Sequence, residues 1–210
     1  MEKTIINKMS FYDIVTLVVP SALVYWAYGC PCILCFDNWV GYIALFGVLM
    51  VLGLVLKSIG AWWASCGFRN NTDIIKEEED KQFAQEEQFS FCAVLDTFVC
   101  GPLKYIVGPI IKLFIPIKRD KVILKEYYDL YDKAYVDAYY GKRIEILESH
   151  VAFLQTLICA LVLIMFESKD CIWNLIGICY VCIVIMRYIQ RKIYYIIWES
   201  RKDNGEEETK

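Results

Sequence analysis

Tyr127, Tyr131, Tyr135 and Tyr139 recur every four residues, with Tyr128 and Tyr140 beside them. Residues four apart are neighbours on a helix, so this spacing predicts a slowly winding aromatic stripe. Lys118, Arg119, Lys121, Lys125, Lys133, Lys142 and Arg143 surround it. Rings that stack bases, beside cations that hold phosphates, would make a face for a nucleotide or a nucleic acid. Asp120, Glu126, Asp129, Asp132 and Asp137 neutralise most of that charge. The stripe therefore reads first as a packing or partner face, set against a helix over 73–98 or a second subunit. A nucleotide or a cytoplasmic protein stays open as its partner, and a nucleic acid is disfavoured. The ten cysteines offer a second chemistry. Cys30, Cys32 and Cys35 lie at one end of an apolar run, and Cys171 lies at an end of another, so an oxidising exterior would let them pair. Cys179 and Cys182 share one side of a helix. A metal site would need ligands converging from different helices. Cysteine in an apolar helix behaves as a small hydrophobe, which is the reading adopted, and no metal is expected.

The one histidine, His150, follows Arg143 with six residues between them. The pair resembles the Arg–x(4–6)–His motif of HEPN ribonucleases. That resemblance covers eight residues. It implies an imidazole for proton transfer and a guanidinium that stabilises phosphorane charge. The polar residue which that family favours after its arginine is here Ile144, and His150 abuts an apolar segment. The competing reading is an interfacial histidine, solvated or hydrogen-bonded at the head of a membrane helix. No Walker loop, HExxH, GxSxG or Rossmann glycine pattern occurs, so no cofactor and no dedicated catalytic site are expected.

The elements that would position these residues are apolar. The chain is charge-free over 14–36, 38–56, 149–166 and 171–186. A bilayer core about 30 Å thick needs roughly 20 apolar residues per helix, and shorter spans are tolerated when flanking residues snorkel. Hydrophobic residues make up 58% of the 210, enough to leave room for one small polar region. The expected fold is an all-α membrane protein with four transmembrane helices arranged as two hairpins around a cytoplasmic helical insert. Residues 1–68 hold a polar lead and the first hairpin, with spans over 14–36 and 39–63 and a turn at Asp37-Asn38. The first run is too long for a signal-peptide core. Pro20 kinks its interior, and Gly41, Gly47, Gly53 and Gly60 in the second span would allow close helix approach. Residues 69–150 form the insert. Within it a helix is expected over 73–98, a connector or interfacial segment over 99–117, and a second helix over 119–140 that Gly141 breaks or bends. Residues 151–198 hold the second hairpin, with spans over 149–167 and 171–190, and 199–210 form a disordered tail. Arg187, Arg191 and Lys192, interleaved with Tyr188, Tyr194, Tyr195 and Trp198, suit an interfacial anchor.

Cations set the orientation. Twelve of the 22 Lys and Arg lie over 69–143 and six follow Met186, whereas Lys169 alone falls in a short turn between spans. The positive-inside rule then places the insert and both termini in the cytoplasm. A net charge of -3 gives no field for a nucleic acid. No span carries a charge in its core, which argues against a transporter or proton relay. In outline, with Ser10-Phe11-Tyr12-Asp13 leading into a proline-containing span, the chain resembles small bacterial four-span membrane proteins with a cytoplasmic helical insert, such as accessory or effector proteins of anti-phage systems. The resemblance implies a bacterial inner-membrane protein gated from the cytoplasm, with the lipid bilayer and further copies of itself as partners. A membrane scaffold whose insert recruits a cytoplasmic protein is the alternative.

Overall fold

The computed structural model describes residues 11–29, 39–67, 95–114 and 121–207, and every element among them is helical. The helices are α1 (Phe11–Ala27), α2 (Trp39–Gly67), α3 (Gly101–Phe114), α4 (Lys121–Val136), α5 (Ala138–Glu167) and α6 (Ile172–Glu207). A π-helical turn, Asp96–Cys100, leads into α3, and a 3-10 turn, Lys169–Cys171, leads into α6. Among the described residues three helices are long and apolar enough to cross a membrane: α2 over Trp39–Ala64, α5, and α6 over Ile172–Ile197. The first of these has only 22% of its most apolar window buried, so a broad apolar surface is left for another apolar medium.

Within the first apolar run α1 ends at Ala27. Gly29 ends it with φ of 63°, a left-handed conformation that glycine adopts without steric cost. The Tyr28 and Gly29 N–H groups close the last turn on the carbonyls of Val24 and Trp26, each at 3.1 Å. Seventeen residues rise about 25 Å, short of a full bilayer core. The Asp37-Asn38 turn, Cys30, Cys32 and Cys35 lie outside the described residues, as does the helix expected over 73–98 up to residue 94.

The chain divides into two compact units. One comprises Met1–Trp62 and Ser149–Cys182. Its core joins Val24 of α1, Leu56 of α2, and Ala160 and Ile164 of α5, with Leu175 of α6 packed against them. Two glycines of α2 set the helix contacts. A Cβ on Gly53 would overlap the backbone carbonyl of Leu17, and one on Gly60 would lie 2.8 Å from the Gln155 oxygen. Gly47 has nothing within 4 Å of that position, so the glycines of this span have different roles. Ser21 and Thr156 bury their hydroxyls by donating to the carbonyls of Leu17 and Ala152, four residues back.

The second unit comprises Trp63–Glu148 and Ile183–Lys210. Here the expected break at Gly141 falls four residues earlier. Val136 ends α4 and Asp137 caps α5, its Oδ1 accepting from the Tyr139 and Tyr140 N–H groups at 2.7 and 3.0 Å. Those are the second and third amides of the new helix, which a capping aspartate satisfies. Gly141 instead admits the Tyr135 carbonyl, which a Cβ would overlap. α5 continues from this corner through the apolar run as one helix, and the division between the two units falls within it, between Glu148 and Ser149. The tail expected to be disordered from 199 is helical as far as Glu207, with Ser200 buried.

Candidate functional site

The tyrosine stripe spans the α4–α5 corner of the second unit. Tyr131 and Tyr135 stack with ring centroids 5.7 Å apart, and the corner then turns Tyr139 away from their run, edge-on to Tyr140 at 5.1 Å. The Tyr131 hydroxyl donates to Glu148 Oε1 at 2.7 Å, which ties α4 back along α5. Tyr127 belongs to α4, but its side chain lies outside what the structure describes. Ala134, Tyr140 and Ile144 are buried beneath the corner, while Tyr135 and Tyr139 stay 45% and 65% exposed. The stripe is thus two pieces. Its inner members pack the corner, and its outer rings present an aromatic surface.

Arg143 is held by this surface. Its guanidinium sits 5.2 Å from the centroid of the Tyr139 ring and donates to the Tyr139 hydroxyl at 3.3 Å. It also pairs with Glu199 of α6 at 3.9 Å. Each contact contributes about 0.5–1 kcal/mol at an exposed site, so together they fix an orientation more than they stabilise a fold. His150 is exposed on α5, where seven residues from Arg143 amount to about 10.5 Å of helix rise. Ile144, at the position where the ribonuclease motif favours a polar residue, is wholly buried. Arg143 therefore serves a ring and a carboxylate, and its neighbour serves packing.

Arg187 departs from the anchor expected at the end of the fourth apolar run. It is 4% exposed, whereas Tyr188 and Tyr195 are exposed as anchoring rings should be. Tyr194 is buried with Ile193, Ile196 and Ile197. That stretch of α6 packs one side into its unit and leaves the other open. Of the cysteines, Cys100, Cys159, Cys171, Cys179 and Cys182 are free, with Cys179 and Cys182 buried. Among the described residues no three His, Cys, Asp or Glu side chains gather as a metal site.

Three partners escaped sequence reasoning. Glu148 and Glu199 are ordinary exposed acids by type, and only the α4–α5 corner and the length of α6 bring them to Tyr131 and Arg143. The third is Trp63, whose indole Nε1 donates to the Tyr105 carbonyl at 3.1 Å. A signal for it existed. Pro109 lacks the N–H that would bond the carbonyl four residues back, and that carbonyl belongs to Tyr105. No family model, curated protein or solved structure matches this chain.

Proposed function

We propose that this chain is a multi-pass inner-membrane protein that acts by assembling in the bilayer, as an effector or accessory protein controlled through its polar helical region. In this reading α1 completes a four-span arrangement. The polar region and both termini face the cytoplasm, where most of the cations lie. The observation that carries it is the continuity of α5 and α6. Each is one helix from apolar run into polar region, so a ligand at the Tyr139–Arg143–Glu199 surface acts on the same rods that form the apolar core. Coupling of this kind needs no catalytic group. A scaffold that recruits a cytoplasmic protein is the second reading, favoured by the exposure of Tyr135 and Tyr139, because exposed aromatic rings suit protein interfaces.

Two measurements test the proposal. Reporter fusions after residues 37, 110, 169 and 210 should report an external position at 37 and 169 and a cytoplasmic one at 110 and 210. The opposite result at 110 or 210 overturns the topology. Native mass measurement of the chain in lipid nanodiscs should show an oligomer. A monomer at every protein-to-lipid ratio removes the assembly reading and leaves the scaffold.

A further inference from the structure

The helix α3 divides into two arcs. Gly101, Pro102, Tyr105 and Pro109 are buried, whereas Leu103, Ile106, Ile110 and Ile111 are exposed, and Val99 extends the exposed row into the preceding turn. At 100° per residue the exposed side chains fill an apolar arc about 140° wide. Lys104 is exposed at the rim of that arc. A soluble helix would point polar residues outward here. This one has protein on one side and an apolar surface on the other.

One hydrogen bond fastens it to α2. Pro109 leaves the Tyr105 carbonyl without its helical donor, and the Trp63 indole supplies the replacement at 3.1 Å. Trp63 is the penultimate residue of the α2 segment that is apolar enough to cross a membrane. The middle of α3 is therefore fastened to the end of the apolar stretch of α2, which in a bilayer would be the interfacial level that tryptophan prefers. Fourteen residues rise about 21 Å, too little to span, and the proline opposes a straight transmembrane rod. The local charge fits an anionic surface. From Lys104 to Lys121 the sequence holds Lys104, Lys112, Lys118, Arg119 and Lys121 against Asp120 alone.

We propose that α3 is an interfacial helix whose ligand is the bilayer surface: acyl chains cover Leu103, Ile106 and Ile110, and anionic head groups meet Lys104. This rests on the membrane-spanning reading of α2. A second copy of the chain, or residues 68–94 folded over the same arc, would be the alternative cover. Lipid is favoured because the helix is tied to the end of a span, carries Lys104 at the rim of its apolar arc and belongs to a stretch of sequence rich in cations.

The test uses the full chain in vesicles of phosphatidylethanolamine and phosphatidylglycerol, with bromine near the head groups or deep in the acyl chains. One small fluorescent amino acid replaces Ile106, Ile110 or, as a control within the span of α2, Val51. At 106 and 110, shallow bromine should quench more strongly than deep bromine and give a depth of about 5–10 Å into the head-group boundary. At 51 the order should reverse. Exchange of phosphatidylglycerol for phosphatidylcholine, or Lys104→Gln, should reduce the shallow quenching. Quenching at 51 with none at 106 and 110 overturns the proposal and leaves the membrane reading standing, since another protein surface then covers the arc. Preferential deep quenching at 106 and 110 overturns it too, because α3 is then buried in hydrocarbon. Absence of quenching at 51 overturns the membrane reading itself. Indifference to anionic lipid and to Lys104→Gln overturns the assignment of head groups to Lys104.

Discussion

The same substitution at two glycines six residues apart should have opposite effects. At Gly47 nothing lies within 4 Å of an added Cβ. Glycine in a helix interior costs about 0.5–1 kcal/mol relative to alanine, so Gly47→Ala should be neutral or stabilising by up to that amount. At Gly53 the Cβ would lie 2.8 Å from the Leu17 carbonyl carbon and overlap its oxygen. A backbone carbonyl has no rotamer to change, and Leu17 is itself 2% exposed. The added methyl must therefore push α1 off α2 and disturb the core that Val24 and Leu56 share. Overpacking of this kind costs about 1–3 kcal/mol. The two variants should then differ by about 1–4 kcal/mol, or roughly 5- to 1000-fold in the folding equilibrium. Reversible unfolding of the full chain in mixed micelles, followed by far-ultraviolet circular dichroism, measures the difference. Equal midpoints for Gly47→Ala and Gly53→Ala would show that α1 does not pack on α2 through that glycine, and the proposed four-span arrangement would lose its support at α1.

Trp63→Phe should cost about 1 kcal/mol through the lost bond to Tyr105, and much less in a Pro109→Ala background, where a restored amide serves that carbonyl; additive losses in the double-mutant cycle refute the replacement. Asp137→Ala should cost about 0.5–2 kcal/mol by removing the cap of α5, with Asp137→Asn retaining most of it, and thermal unfolding in detergent compares the two. Tyr131→Ala with Tyr135→Ala removes the stacked pair and the bond to Glu148, and should lower the same midpoint; an unchanged midpoint with lost nucleotide binding favours a ligand face instead. His150→Ala should leave activity and stability unchanged while Arg143→Ala costs about 1 kcal/mol; RNA cleavage by the parent chain, lost in both variants, would falsify the assembly reading.

The apolar runs were legible because a helix in hydrocarbon must satisfy its own backbone, which leaves composition as the dominant signal. The ends of helices were less legible. Composition gives no sign that α1 ends at Ala27, where Gly29 takes a left-handed conformation, because backbone conformation decides that point. At the α4–α5 corner two candidate punctuators compete, Asp137 and Gly141. Glycine reads as the breaker by propensity, yet aspartate wins because it can satisfy two orphan amides at once. Gly141 then has the other use of glycine, close approach of a backbone. The charged tail reads as solvated coil for the same reason in reverse. Its sequence has no proline to stop α6, and the buried Ser200 shows that one side is packed.

The candidate site shows a different limit. Type and spacing identified the stripe, the arginine and the histidine, all properties of one segment. They could not assign partners, because Glu148 meets Tyr131 only after α4 folds back, and Glu199 meets Arg143 only because α6 outruns its apolar stretch. The Trp63–Tyr105 bond lies between these cases. The need for a donor is written in Pro109, one position fixing another four residues away, and only the identity of the donor is tertiary. A proline inside an apolar helix thus specifies an unsatisfied carbonyl at a known residue. In a medium without water, another part of the protein has to answer it, and here the answer comes from the rim of a span. The same logic applies to Pro20, whose missing amide leaves the carbonyl of the buried Thr16 to other partners. Prolines in the apolar helices therefore mark where neighbouring elements must dock. In this chain they lie in α1 and α3, the two shorter apolar helices.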